Sequence, residues 1–152
     1  MGADWILASL DRTLATRCLP GDKRNWSEQR KERLVEKTLF ERIIDGELPS
    51  DRVYEDDRCI VIQDIQPQAP THVLIIPRDP IPRLIDANDT HQELLGHLLL
   101  VAGKVAEILG CGDAFRLVIN NGADAGQTVF HLHLHILAGK QFNEGGLAKS
   151  FE

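Results

Sequence analysis

Between Phe130 and Leu137 the chain alternates histidine with aliphatic residues: His131-Leu132-His133-Leu134-His135-Ile136. Successive side chains of an extended strand point to opposite faces. The alternation therefore predicts three imidazoles on one face and Leu132, Leu134 and Ile136 turned into a core. A one-residue slip would exchange the two sets, so the aliphatic row also fixes the register. Histidine titrates near neutrality and serves as nucleophile, proton carrier or metal ligand without extreme tuning. Half of the chain's six histidines stand in this run, whereas solvated strand faces ordinarily draw on Thr, Lys, Glu and Ser. The row is read as the working centre.

A length of 152 residues suits one compact domain that can bury a core without disulfide or metal staples. The formal charge of −6 argues against general nucleic-acid binding, and no apolar run is long enough to cross a bilayer. Cys18, Cys59 and Cys111 are odd in number, widely spaced and without Cys-x-x-Cys pairing, which points to the reducing cytoplasm. Met1-Gly2 opens like a myristoylation signal, but Ile6 stands where Ser or Thr is required. Asp4 and Asp11 count against a transit peptide.

Charge divides the chain. Residues 1–36 carry seven Lys/Arg against six Asp/Glu, and the remainder ten against seventeen. Residues 1–37 are read as a partly helical extension of unassigned function: Ile6, Leu10 and Leu14 recur at helical spacing before Pro20-Gly21, and Ser27 caps a second, highly charged helix to about Glu36. Residues 38–152 form the domain proper. Leu39, Phe40, Ile43 and Ile44 predict a short helix from Thr38 to Gly46, followed by strands over 52–55, 59–63 and 73–76. Leu94, Leu98, Val101, Val105 and Ile108 keep a 3.6-residue period through a long helix, 89–109, stopped by Gly110. Gly96 and Gly103 inside it predict close packing. Strands over 115–120 and 129–137 complete the domain. Between them Asn121-Gly122-Ala123-Asp124-Ala125-Gly126-Gln127-Thr128 has the small residues and side-chain donors of an anion-binding nest.

The triad followed by Ile136-Leu137 resembles the histidine triad family. The blocks Tyr54-Glu55-Asp56-Asp57, Asp64-Ile65, Pro67-Gln68-Ala69-Pro70-Thr71-His72, Ile76-Pro77, Leu94-Leu95-Gly96-His97 and Gly126-Gln127-Thr128-Val129 extend the likeness to its nucleotide-binding, purine nucleoside phosphoramidase branch over residues 38–140. That resemblance implies an α+β domain: a five-stranded antiparallel sheet with a long helix and a shorter N-terminal one, the sheet extended across a homodimer. It implies binding of purine nucleoside monophosphates and hydrolysis of phosphoramidates such as adenosine monophosphoramidate, or of aminoacyl adenylates. No cofactor is required.

Roles carry over by position. His133 resembles the nucleophile that forms a nucleotidyl-histidine intermediate, His131 its orienting neighbour, and His135 and His72 donors to the phosphate. Asn120, Gly126 and Thr128 resemble further phosphate contacts, with Thr128 assisting the leaving nitrogen, and Gln127 and Val129 belong to the same block. Asp64 resembles the carboxylate that holds the ribose hydroxyls. Phe40, Ile43, Ile62 and Ile65 match positions enclosing the base. His91 and His97 are read as surface or packing histidines. Thr128 stands in place of the branch's Ser and Ala125 in place of a common Gly, and Asn143-Glu144-Gly145-Gly146 lacks the Trp-Pro-Pro-Gly ending of some animal members.

Other readings compete. Three imidazoles form a catalytic zinc set in some enzymes. Alternate residues on one strand, however, lie roughly 6–7 Å apart, too far to converge on zinc bonds of about 2.0–2.1 Å without strong distortion. Zinc is not favoured on this ground. A non-catalytic nucleotide sensor or scaffold and a dinucleoside polyphosphate hydrolase are the remaining alternatives. Neither a membrane nor a specific nucleic acid is expected as partner, since no zinc finger or strongly basic domain accompanies the triad.

Overall fold

Thr38 starts the first helix, α1 (Leu39–Ile44). Its hydroxyl accepts the Glu41 amide while the Glu41 carboxylate accepts the Thr38 amide, a reciprocal capping box. Six residues are too few for a helix to stand alone, and α1 persists by burying Phe40 and Ile43. Gly46 leaves the helix at a φ of +76°, a conformation that costs glycine least. The computed structural model describes residues 37–146. The helices expected before them lie outside the described residues.

An antiparallel meander follows: β1 (Arg52–Glu55), β2 (Cys59–Gln63) and β3 (Thr71–Pro77). The long helix α2 (Gln92–Ile108) comes after a 3-10 turn at Asp89–His91, and β4 (Phe115–Val118) and β5 (Leu134–Ala138) close the sheet. Strand order is β1-β2-β3-β5-β4 with every neighbour antiparallel. This is the expected five-stranded α+β architecture. Among the described residues no helix is long and apolar enough to cross a membrane.

The sheet is buried on two faces. On one, Cys59, Val61, Val73, Ile75, Leu134 and Ile136 pack against Leu98, Val101, Ala102 and Val105 of α2. On the other, Ile60, Ile62, Leu74 and Ile76 pack against Phe40 and Ile43 of α1. Central strands covered on both sides read as unbroken apolar runs, which is why Cys59-Ile60-Val61-Ile62 shows no alternation.

Three details differ from the expectation. Only His135 of the triad lies in a strand, because β5 begins at Leu134. The register pairs Ile75 with Leu134, which would bring Leu132 opposite Pro77, and proline has no N–H to donate to a ladder. Leu132 instead donates its amide to the Ile81 carbonyl. The alternation of side chains survives: Leu134 and Ile136 enter the α2 core, while His131 and His133 meet Phe40 of α1. Secondly, β4 ends at Val118, two residues early. Thirdly, a Cβ added at Gly96 or Gly103 would meet nothing within 4 Å, so nothing among the described residues demands close packing there.

Candidate active site

His131 is fully buried and bonded at both ring nitrogens. Nε2 lies 2.8 Å from the Pro77 carbonyl oxygen, which only accepts, so Nε2 carries the proton and Nδ1 accepts the Thr38 hydroxyl at 3.0 Å. The backbone oxygen of His131 in turn stands 2.7 Å from Nδ1 of His133. By the same logic His133 donates from Nδ1 and, when neutral, presents an unprotonated Nε2. Phe40 packs edge-on against this imidazole, with ring centroids 5.0 Å apart. Burial lowers the pKa of both histidines, opposed in each case by the carbonyl each ring donates to.

A second chain of bonds sets the other pair. The Gln68 amide donates to Nδ1 of His72 at 3.1 Å, so His72 holds its proton on Nε2. That atom lies 2.9 Å from Nδ1 of His135 and 3.3 Å from Oδ2 of Asp64. His135 therefore accepts at Nδ1 and carries its proton on Nε2, a buried atom without a hydrogen-bond partner among the described residues. A buried N–H left unpaired is costly. Burial lowers the pKa of His72, with Asp64 opposing and Lys140 reinforcing the shift. Burial, helped by repulsion from His133 and His72, pushes His135 down to about 4. Four neutral imidazoles with defined proton positions result.

The loop before the triad is shaped by glycine. Gly122 and Gly126 take φ values of +91° and +88°, while no other residue type among the described residues takes positive φ. Ala125 thus occupies an ordinary conformation, and its substitution for a common Gly strains nothing. Asn120 and Gly126 are neighbours: a Cβ at 126 would lie 3.7 Å from the Asn120 amide nitrogen. Thr128 is exposed. Gln127 is buried, and its side chain accepts the Gly122 amide and donates to the carbonyls of Pro82 and Val129. Its N–H groups are spent on these two backbone carbonyls, so the side chain braces the loop instead of presenting a free donor.

Phe40, Ile43 and Ile62 form one buried cluster with Val129 at its margin, whereas Ile65 is 78% exposed. Asp64 sits just after β2, anchored by the Gln66 amide on Oδ1 and by its own amide to the His72 carbonyl. Three contributors escaped the sequence reading: the Thr38 hydroxyl, the Gln68 amide and the Pro77 carbonyl. Two are backbone groups, which side-chain patterns do not mark. Thr38 was legible only as a helix start.

The histidines do not converge as one metal set. His131 has both ring nitrogens occupied by protein groups, and only His135 of the triad enters a metal-capable cluster, with Asp64 and His72. A second such cluster joins Asp56, Cys59 and His97. In each, one donor atom per residue lies within 4.8 Å of the others.

A sequence profile of the HIT domain matches residues 45–142. An uncharacterized HIT-like protein of Synechocystis is 58% identical over 110 residues, covering 72% of this chain and 96% of that protein. A maize protein named 14 kDa zinc-binding protein is 48% identical over 108 residues, covering 70% of this chain and 84% of its own length. Among solved structures, a HIT family hydrolase from Legionella pneumophila superposes with a TM-score of 0.69 at 43% identity, covering 71% of this chain and 97% of its own. The domain match spans more than half of the chain, and the similarity runs along 84–97% of these relatives' own lengths, so the chain belongs to the histidine triad family.

Proposed function

We propose that this protein hydrolyses purine nucleoside phosphoramidates, with His133 as nucleophile. The observation that carries the reading is the 2.7 Å bond from His133 Nδ1 to the His131 carbonyl, which leaves Nε2 of a neutral ring free to attack. In the first step Nε2 forms a bond to phosphorus, the P–N bond breaks, and the departing amine takes up a proton with help from Thr128. In the second, water attacks the nucleotidyl-histidine, releasing the nucleoside monophosphate and restoring His133. Dividing one displacement into two easier ones is the advantage of covalent catalysis.

The unpaired Nε2–H of His135 is suited to a phosphate oxygen as negative charge gathers in the transition state, a service preorganised donors perform best in a site closed to water. Asn120 and Gly126 border the same loop, and Asp64 is offered to the ribose hydroxyls. Phe40, Ile43, Ile62 and Ile65 are offered to the base. Hydrolase chemistry agrees with the name borne by the Legionella relative. None of these steps calls on a metal ion. The maize relative's name nevertheless keeps zinc binding in view.

A homodimer belongs to this reading. Gly96, Leu100 and Gly103 share one stripe of α2, where Leu100 is 77% exposed and both glycines leave open space. Among the described residues β4 lies at the sheet edge beside β5. A second copy laid on this face would supply the close packing that the glycines predict and the described residues do not. A cytoplasmic location suits Cys59 and Cys111, both free.

The deciding experiment is steady-state hydrolysis of adenosine 5′-phosphoramidate by wild type and His133→Ala, with a chelator control. We expect chelator-resistant turnover that falls by at least about a thousandfold in the variant, with thermal melting and AMP binding retained. A wild type that binds AMP without turnover would replace this reading with a nucleotide sensor, and preference for dinucleoside polyphosphates would move it to that class of hydrolase.

A further inference from the structure

We propose that Asp56, Cys59 and His97 form a zinc-binding site on the face of the sheet opposite the triad. The three residues come from separate stretches: Asp56 from the β1–β2 turn, Cys59 from the start of β2, and His97 from the first half of α2. Their donor atoms nevertheless lie within 4.8 Å of one another. Cys59 belongs to the core beneath α2, whereas His135 pairs with Leu74 and shares its face with α1. The sheet therefore stands between this cluster and the triad.

The donor chemistry selects the metal. One sulfur, one imidazole nitrogen and one carboxylate oxygen suit zinc and other borderline transition metals, whereas magnesium and calcium prefer all-oxygen sets. Cys59 is fully buried at the floor of the cluster. The side chains of Asp56 and His97 keep 17% and 28% exposure at its rim, which provides an entry path and room for water as a fourth ligand.

The groups around the cluster resemble the outer shell of a metal site. Asp56 is held by its Oδ1, which accepts the amides of Arg58 and Cys59 at 2.8 Å each. Its Oδ2 faces His97 Nε2 at 2.8 Å and the Tyr54 hydroxyl at 3.0 Å. Lys104 donates to the Tyr54 oxygen at 3.1 Å, leaving that hydroxyl's proton to Asp56. Such partners orient ligands before the metal arrives. The proton of His97 Nε2 and the Cys59 thiol proton occupy the place a cation would take. On binding, His97 shifts its proton to Nδ1 and ligates through Nε2, while Cys59 releases its proton to solvent. Thiolate and carboxylate then balance the two charges of the ion.

The test is independent of turnover. Full-length wild type, His97→Gln, Cys59→Ala and His135→Asn are titrated with zinc against a chelating indicator, and with cobalt(II) for its thiolate-to-metal absorption band. We expect stoichiometric zinc in wild type and His135→Asn, and affinity at least about tenfold weaker in His97→Gln and Cys59→Ala. The band should be present in wild type and His135→Asn and lost in Cys59→Ala. Because His97 is partly exposed, His97→Gln keeps the test valid if the Cys59 cavity unsettles the core. No stoichiometric zinc in wild type, undiminished affinity in His97→Gln, or a cobalt complex without the thiolate band would overturn the proposal. Loss of binding in His135→Asn alone would move the metal to the Asp64–His72–His135 cluster and equally overturn it.

Discussion

The hydroxyl of Thr38 stands 3.0 Å from Nδ1 of His131, across ninety-three residues of sequence. The same oxygen accepts the Glu41 amide that begins α1. A helix cap and the orientation of the triad therefore share one atom. From Thr38 the bonds run to His131, and from the His131 carbonyl to Nδ1 of His133.

Thr38→Val removes both functions while keeping the shape of the side chain. Loss of an N-cap costs about 1 kcal/mol, which corresponds to a melting temperature lower by roughly 4–8 °C for a domain near this size. His131 is left with an unpaired buried Nδ1, so turnover should fall more than stability alone explains. Thr38→Ser keeps the hydroxyl and should restore both. Equal kcat in Thr38→Val and wild type at a temperature where both are folded would show that the bond only caps the helix.

Stability should decline on mild acidification because of the buried histidines. The folded pKa of His135 is pushed down to about 4 and those of His72, His131 and His133 are lowered, whereas an unfolded histidine titrates near about 6.5. Between these values the unfolded chain binds protons that the folded chain refuses, so unfolding is favoured as pH falls. The contribution is fully present above about pH 6.5 and is lost as pH falls through the folded values, about 4 for His135. Melting temperature followed from pH 7.5 to 4.5 should show the slope, and His135→Asn should flatten it. An unchanged slope in that variant would mean that His72, His131 and His133, and not His135, cause the decline.

The sheet was legible because its strands carry their own signals. The β-branched runs at 59–63 and 73–76 needed no tertiary information, and α2 announced itself through a period kept from Leu94 to Ile108. The start of β5 was not legible, since its limit lies in a different strand: Pro77 has no amide for the residue facing it. Imidazole orientation was equally hidden. The sequence says that His72 and His135 exist, but only the fold brings the Gln68 amide to His72 and thereby decides which nitrogen of His135 carries the proton. The partners of Gln127 were hidden for the same reason, as the carbonyls that accept its N–H groups belong to Pro82 and Val129.

Gln127→Leu tests that bracing role. Three polar groups would lose their partner in part-buried positions, at a cost of about 1–3 kcal/mol for each group that water does not reach. The melting temperature should drop, and AMP affinity should weaken because Gly122 and Gly126 no longer hold the loop's path. An AMP affinity equal to wild type in the folded variant would separate the loop from nucleotide binding.

Gly139 links the end of β5 to the segment that carries His72. It takes a φ of +81°, and a Cβ there would lie 2.9 Å from Cβ of Pro70. Next to it Lys140 donates to the Gln68 carbonyl at 2.8 Å, and the Gln68 amide holds His72. Gly139→Ala combines an unfavourable backbone conformation with a contact that the proline ring cannot relieve by rotation, so a loss of roughly 1–3 kcal/mol is expected. Urea unfolding measures it. Because the displaced segment includes Gln68, the variant should also lose turnover under conditions where it is fully folded, while Lys140→Met, which strains nothing, should leave stability within about 0.5 kcal/mol of wild type. A Gly139→Ala protein as stable as wild type would show that the 67–72 segment shifts freely, and the tautomer order proposed for His72 and His135 would then lack its anchor.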